Sequence, residues 1–164
     1  MSSEANIIKV GMADLNTGKD PDILTTLGLG SCVGIALYDA TIKIGGLAHI
    51  MLPDSTQIKN NSNIAKFADT AIEALINKLV EQGARKSRLV AKIAGGAHMF
   101  EFKNMDDMMR IGTRNVNAVI QILESNNIPI LSQDTGSNYG RTVELYTSTG
   151  IFRVKTIGHG IKEI

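Results

Sequence analysis

Apolar positions along the chain follow two periods, alternation over short stretches and a three-to-four spacing over longer ones, and the changeovers divide it into strands and helices. An apolar segment from Ile7 to Met12 is followed by the turn-rich stretch NTGKDPD and then by ILTTLGLG, whose β-branched residues predict a strand entering a glycine loop. VGIALYD and KIGGLAHIMLP flank a short turn around Asp39 to Ile42 and predict a β-hairpin. From Ile64 to Val80, apolar residues recur at Ile64, Phe67, Ala71, Leu75 and Leu79, the spacing of one buried helical face. Ser62 or Asn63 can cap that helix and Gly83 can end it. RLVAKIA reads as a strand. A second helix is predicted from about Thr113 to Ser125 with Val116, Val119, Ile120 and Leu123 inward, and strands near IPILS, TVELYT and IFRVKT complete the set. With no repeat or linker, this mixed order predicts one α+β domain over residues 1–164, a layered β-sheet with helices packed against it.

Composition narrows the function. A chain of 164 residues buries roughly 70% of its unfolded surface, so it needs no disulfide or metal to fold. Seventeen Lys plus Arg against sixteen Asp plus Glu give a net charge of +1, without the basic excess of a nucleic-acid binder. The N-terminal MSSEANIIKVGMADLN has no basic region followed by an apolar core, and no apolar run is long enough to span a bilayer. The expectation is a soluble, unexported protein with no membrane insertion. Cys32 is the only cysteine, which excludes an intramolecular disulfide and any zinc site needing two cysteines of one chain, and suits a reducing cytoplasm.

A lone cysteine in such a protein is commonly a small core residue, but Cys32 follows GLGS, whose glycines permit unusual backbone angles and leave amide N–H groups accessible to a tetrahedral oxyanion. Gly28, Gly30 and Ser31 are therefore candidate oxyanion or substrate-loop residues. If the hairpin loop is even and centred between Ala40 and Thr41, Cys32 lies directly across from His49, close enough for thiol and imidazole to meet. That register puts Val33, Ile35 and Leu37 against Ala48, Gly46 and Ile44 on an apolar face. Cys32 then shares its own face with Gly34, Ala36, Gly45 and Leu47, whose small side chains leave room for a substrate. An odd loop, or a bulge at Gly45 and Gly46, would turn His49 to the other face. A neighbouring imidazole favours thiolate and can return a proton to a leaving group.

The blocks TTLGLGSCVGIALYD, GGLAHIMLPDS, KFADTAIEALI, AKIAGGAHMFEF, IGTRNVNAV and SQDTGSNYGR, in this order, make nearly the whole chain resemble the CheD family of chemoreceptor glutamine deamidases. The resemblance implies a catalytic cysteine, histidine and threonine, at Cys32, His49 and Thr26, with the threonine orienting the histidine. It implies hydrolysis of glutamine side chains on methyl-accepting chemoreceptors without a cofactor or metal, and a layered fold similar to the deamidase domain of the cytotoxic necrotising toxins. It also implies a partner, the CheC phosphatase, for which Phe100 and Phe102 of MFEF are candidate contacts. One departure is visible: the family usually has a second glycine where DTGSNYGR has Ser137, a place where glycine would serve a positive φ.

Two readings from other classes compete. A dinucleotide loop is disfavoured because Gly28, Gly30 and Gly34 miss the GxGxxG spacing and Ala48 stands near where an acidic residue belongs. A metal site from His49, His98 and His159 lacks any helical i, i+4 pair. Within the resemblance, the alternatives are a non-catalytic adaptor that binds CheC and receptors, and a glutamate methyl-esterase using the same acyl-enzyme.

Overall fold

The computed structural model describes residues 4–98 and 110–164. Its strands are β1 (Ile7–Lys9), β2 (Asp14–Lys19), β3 (Ile23–Leu29), β4 (Val33–Asp39), β5 (Ile44–Ile50), β6 (Val90–Gly95), β7 (Ile130–Thr135), β8 (Arg141–Tyr146), β9 (Phe152–Thr156) and β10 (Gly160–Glu163), with helices α1 (Ala68–Glu81) and α2 (Ile111–Ser125). They form two five-stranded sheets, ordered β1-β3-β8-β9-β10 and β2-β5-β4-β6-β7. The α+β expectation holds, with two sheets in the layering. β2 and β10 escape the sequence pattern because one is the polar, glycine-containing edge DLNTGK and the other is exposed along its whole length.

Alternation along β4 builds the layers. Val33, Ile35 and Leu37 join Ala71, Leu75 and Leu79 of α1 and Val119 and Leu123 of α2 in one core. Cys32, just before β4, and Ala36 join Leu47 with Leu24, Leu29, Val143, Leu145 and Phe152 of the other sheet in a second core. Each large side chain so buried contributes about 1.5–3 kcal/mol. The small residues at Gly34 and Gly45 thus admit the second sheet rather than a substrate: a Cβ at Gly34 would stand 3.0 Å from Leu29 Cδ1, and one at Gly45 2.9 Å from Leu145 Cδ2.

The hairpin register also differs from the expected one. Asp39 pairs with Ile44 and Gly34 with His49, so Cys32 is not directly opposite the histidine. The four-residue turn is set by the buried Asp39 carboxylate, which accepts the Thr41 N–H at 3.0 Å, and by Lys43 at φ 53. The shift is two residues, so the faces are those expected and Cys32 becomes a diagonal neighbour of His49. Burial raises the Asp39 carboxyl, but hydrogen bonds from Arg88, the Arg85 N–H and the Thr41 N–H together with the Arg88 charge outweigh it and hold the carboxyl below the usual range.

Helix α1 begins later than its apolar pattern. Asn63 caps a 3-10 turn over Ile64–Lys66, Phe67 is extended and bridges Leu52, and Ile64 is 52% exposed instead of inward. Gly83, at φ 107, follows the helix end as expected. Ser137 does adopt a positive φ, 60, and its carbonyl accepts the His98 N–H at 2.8 Å. A non-glycine residue pays about 1–2 kcal/mol for such a conformation, against roughly 0.5–1 kcal/mol of extra chain entropy for glycine. Ser137→Gly is therefore expected to raise stability by up to about 1 kcal/mol in denaturant unfolding; a loss of stability would show that the Ser137 side chain matters more than its backbone.

Candidate active site

Thr26 reaches the interior because β3 is irregular. Leu24 and Thr26 point inward, but the pairing with β8 shifts between Thr26 and Leu29, leaving Leu27 and Gly28 exposed and returning Leu29 to the core. Gly28 supplies the positive φ (69) that this bulge needs. The consequence is a contact across the two sheets: Thr26 Oγ1 lies 2.7 Å from His49 Nδ1, with both residues buried. His49 Nε2 is buried and has no hydrogen-bond partner among the described residues. A ring held at Nδ1 by a hydroxyl is fixed in orientation, and Nδ1–H donation to Thr26 leaves Nε2 with its lone pair.

Cys32 stands two residues before Gly34, the residue opposite His49. Diagonal neighbours on one face have Cα atoms about 7–8 Å apart, within the reach of an imidazole, and Gly34 places no side chain between. His49 is fully buried and Cys32 is 7% exposed, so a substrate carbonyl must arrive from the cysteine side. Burial pushes the Cys32 thiol up, partly offset by its own backbone N–H, and pushes the His49 imidazole down. Both shifts favour the uncharged forms, thiol and imidazole, over the thiolate that proximity alone suggests.

The loop before β4 is held from behind. The Gly30, Ser31 and Cys32 carbonyls accept from Ala97 N at 2.9 Å, Asn115 Nδ2 at 2.9 Å and Gly96 N at 2.8 Å. In a trans peptide the N–H of the next residue points opposite to such a carbonyl, so Ser31 N–H and Cys32 N–H face away from these anchors. Gly30 and Ser31 thus belong to the loop beside the thiol, whereas Gly28 belongs to the bulge. The fully buried Arg141 ties neighbouring turns together, donating to the Gly136 carbonyl at 2.9 Å and pairing with Asp134 at 3.2 Å.

Asn115 and Arg141 went unread in the sequence. Asn115 had a signal: it stands four residues before Val119 and eight before Leu123, on the buried stripe of α2. His98 contacts Thr113 at 3.1 Å and His159 stacks on Tyr139 at 4.2 Å, each with its own neighbours apart from His49. Among the described residues no group of three or more His, Cys, Asp or Glu is placed to hold a metal ion. Phe100 and Phe102 lie outside the described residues. No helix of the described residues is long and apolar enough to cross a membrane.

Residues 51–156 match the family described as CheD chemotactic sensory transduction. A protein of Lachnoclostridium phytofermentans named probable chemoreceptor glutamine deamidase CheD is 58% identical over 158 residues, covering 96% of this chain and 98% of its own. Proteins with the same name from Caldanaerobacter subterraneus subsp. tengcongensis and Syntrophomonas wolfei are each 56% identical, covering 98% and 95% of this chain and 99% and 97% of their own. With most of the chain matched by the family and full-length relatives at this identity, the chain belongs to the CheD family.

Proposed function

We propose that the protein deamidates glutamine side chains of chemoreceptors, with Cys32 as nucleophile, His49 as general base and acid, and Thr26 as the group that orients His49. The observation that carries this reading is the buried Thr26–His49 contact, with an Nε2 that has no partner among the described residues, on the face that Cys32 shares. The names of the relatives supply the substrate class.

The Cys32 sulfur attacks the glutamine side-chain carbonyl carbon as its proton passes to His49 Nε2, which suits a pair that starts neutral. The resulting oxyanion is met by N–H groups of the loop, those of Ser31 and Cys32 being turned away from their anchors. Collapse breaks the carbon–nitrogen bond, and the His49 proton leaves with ammonia. A thioester remains. Water then attacks it, giving a proton to His49; the carbon–sulfur bond breaks, glutamate is released and the thiol regains its proton. Each step is balanced by the chain's own residues and one water, so the mechanism calls for no cofactor or metal.

The reading extends to a cytoplasmic, single-domain enzyme with a site like that of the cytotoxic necrotising toxin deamidases. CheC is its partner, contacting the segment that holds Phe100 and Phe102. Incubation with receptor cytoplasmic fragments, with amide-to-acid conversion mapped by peptide mass spectrometry, tests it. Site-specific conversion with ammonia release is expected. Methanol release from methylated receptors without ammonia would favour an esterase, and CheC or receptor binding without conversion would leave an adaptor.

Thr26→Val keeps the shape of the side chain and removes the hydroxyl. The expected result is a loss of about 10- to 100-fold in kcat, the usual effect of removing a group that orients a functional histidine. Leaving His49 Nδ1 buried and unpaired should also cost about 1–3 kcal/mol of stability. Steady-state rates measured beside denaturant unfolding check both, and an unchanged kcat in a destabilised variant would reduce Thr26 to a strand residue.

A further inference from the structure

We infer that Asn115 is the positioning residue that sets the oxyanion-binding amide of Cys32, an assignment that rests on the deamidase reading of the site. Asn115 is fully buried in α2, and its Nδ2 donates to two carbonyls at once, Ser31 at 2.9 Å and Met51 at 3.0 Å. Both partners are acceptors only, so only the amide NH₂ can serve them. Ser31 directly precedes the nucleophile, and Met51 lies two residues past the base. One side chain thus joins the two segments that carry the reacting groups.

The bond to Ser31 does more than tie the chain. Ser31 C=O and Cys32 N–H belong to the same planar trans peptide and point in opposite directions, so drawing the carbonyl toward α2 aims the N–H away from it. A carbonyl that accepts a hydrogen bond also makes its peptide N–H a stronger donor. The arrangement is expensive for the fold: Asn115 Oδ1 is buried with no partner among the described residues, where a leucine would suit the stripe shared with Val119 and Leu123. The helix is brought close enough by paired glycines, since a Cβ at Gly112 would stand 2.5 Å from the Gly96 and Ala97 carbonyl oxygens and one at Gly96 would meet Val116. The same Gly96–Ala97 segment donates to Cys32 and Gly30, so α2 and the loop share one frame.

The test compares wild type, Cys32→Ala, Asn115→Leu and Asn115→Ala on a receptor cytoplasmic fragment, with alkylation of the single cysteine by iodoacetamide measured in parallel. Asn115→Leu keeps a γ-branched side chain and is a better helix former, so it is expected to fold, and denaturant unfolding of each variant corrects its rate for the fraction of folded protein. The expected result is a fall in kcat of about 100-fold in both Asn115 variants, the effect of losing one oxyanion donor. KM should move far less, and the alkylation rate should stay at the wild-type value, because that reaction develops no oxyanion. Wild-type kcat in folded Asn115→Leu would overturn the inference, as would an alkylation change matching the loss in kcat, which marks a loosened loop. Full activity in Cys32→Ala would instead remove the deamidase reading of the site itself.

Discussion

Cys32→Ala is expected to lower the rate of ammonia release from a receptor fragment by about 10⁴-fold or more, while leaving the protein folded. The size of the effect follows from the chemistry, since without sulfur no thioester forms and the loop can only hold water near the amide. The structural change is small by comparison. Cys32 sits at the rim of the core between the sheets, 7% exposed, and removing one sulfur there takes away little packing. Large loss of rate with near-native unfolding separates a nucleophile from a core cysteine. A variant that turned over normally would leave Cys32 as packing and return the adaptor reading.

His49→Ala should be nearly as damaging, about 10³- to 10⁴-fold in kcat, because members of one catalytic unit fail together and their effects do not add. The double variant with Cys32→Ala should then be no worse than Cys32→Ala alone. The pH behaviour gives an independent check. Burial lowers the His49 pKa of the free protein from its ordinary 6.5, so the imidazole remains a neutral base in mildly acidic solution and kcat/KM should persist below that value. The unfolded chain, whose histidine keeps the higher pKa, binds the proton first as pH falls. The His49 contribution to stability is therefore complete above 6.5 and is lost as pH drops from there through the folded pKa. His49→Gln should flatten that part of the stability profile, as followed by denaturant unfolding from neutral to acid pH. A wild-type kcat/KM that falls off at or above the ordinary histidine pKa would contradict the burial argument.

The strongest elements of the fold were legible because their pattern and their burial agree. The β4–β5 hairpin and the two helices bury the faces their apolar residues mark. The register slipped because loop length depends on Asp39, whose buried carboxylate shapes the turn through the Thr41 N–H, and nothing in VGIALYD announces that the terminal aspartate is buried. Parity survived the slip, which is why Cys32 and His49 were placed on one face even though their direct opposition was wrong. The Thr26–His49 contact joins different sheets and depends on a bulge, so no periodicity within one strand could reveal it. Asn115 was legible in principle as a polar residue on an apolar stripe; reading α2 only for its hydrophobic positions passed over it. The family resemblance supplied what pattern could not, namely the proposed role of Thr26 and the proposed substrate class.

The most direct measurement of the central claim is hydroxylamine partitioning, since the proposed thioester at Cys32 can be intercepted by a nucleophile stronger than water. A receptor cytoplasmic fragment is incubated with the protein and hydroxylamine at neutral pH, and the modified glutamine is identified by peptide mass spectrometry. A covalent intermediate predicts a glutamyl hydroxamate at the same position that becomes glutamate without hydroxylamine, growing with hydroxylamine concentration and absent with Cys32→Ala. Conversion to glutamate alone at every hydroxylamine concentration, or hydroxamate formed equally well by Cys32→Ala, would contradict nucleophilic catalysis by Cys32.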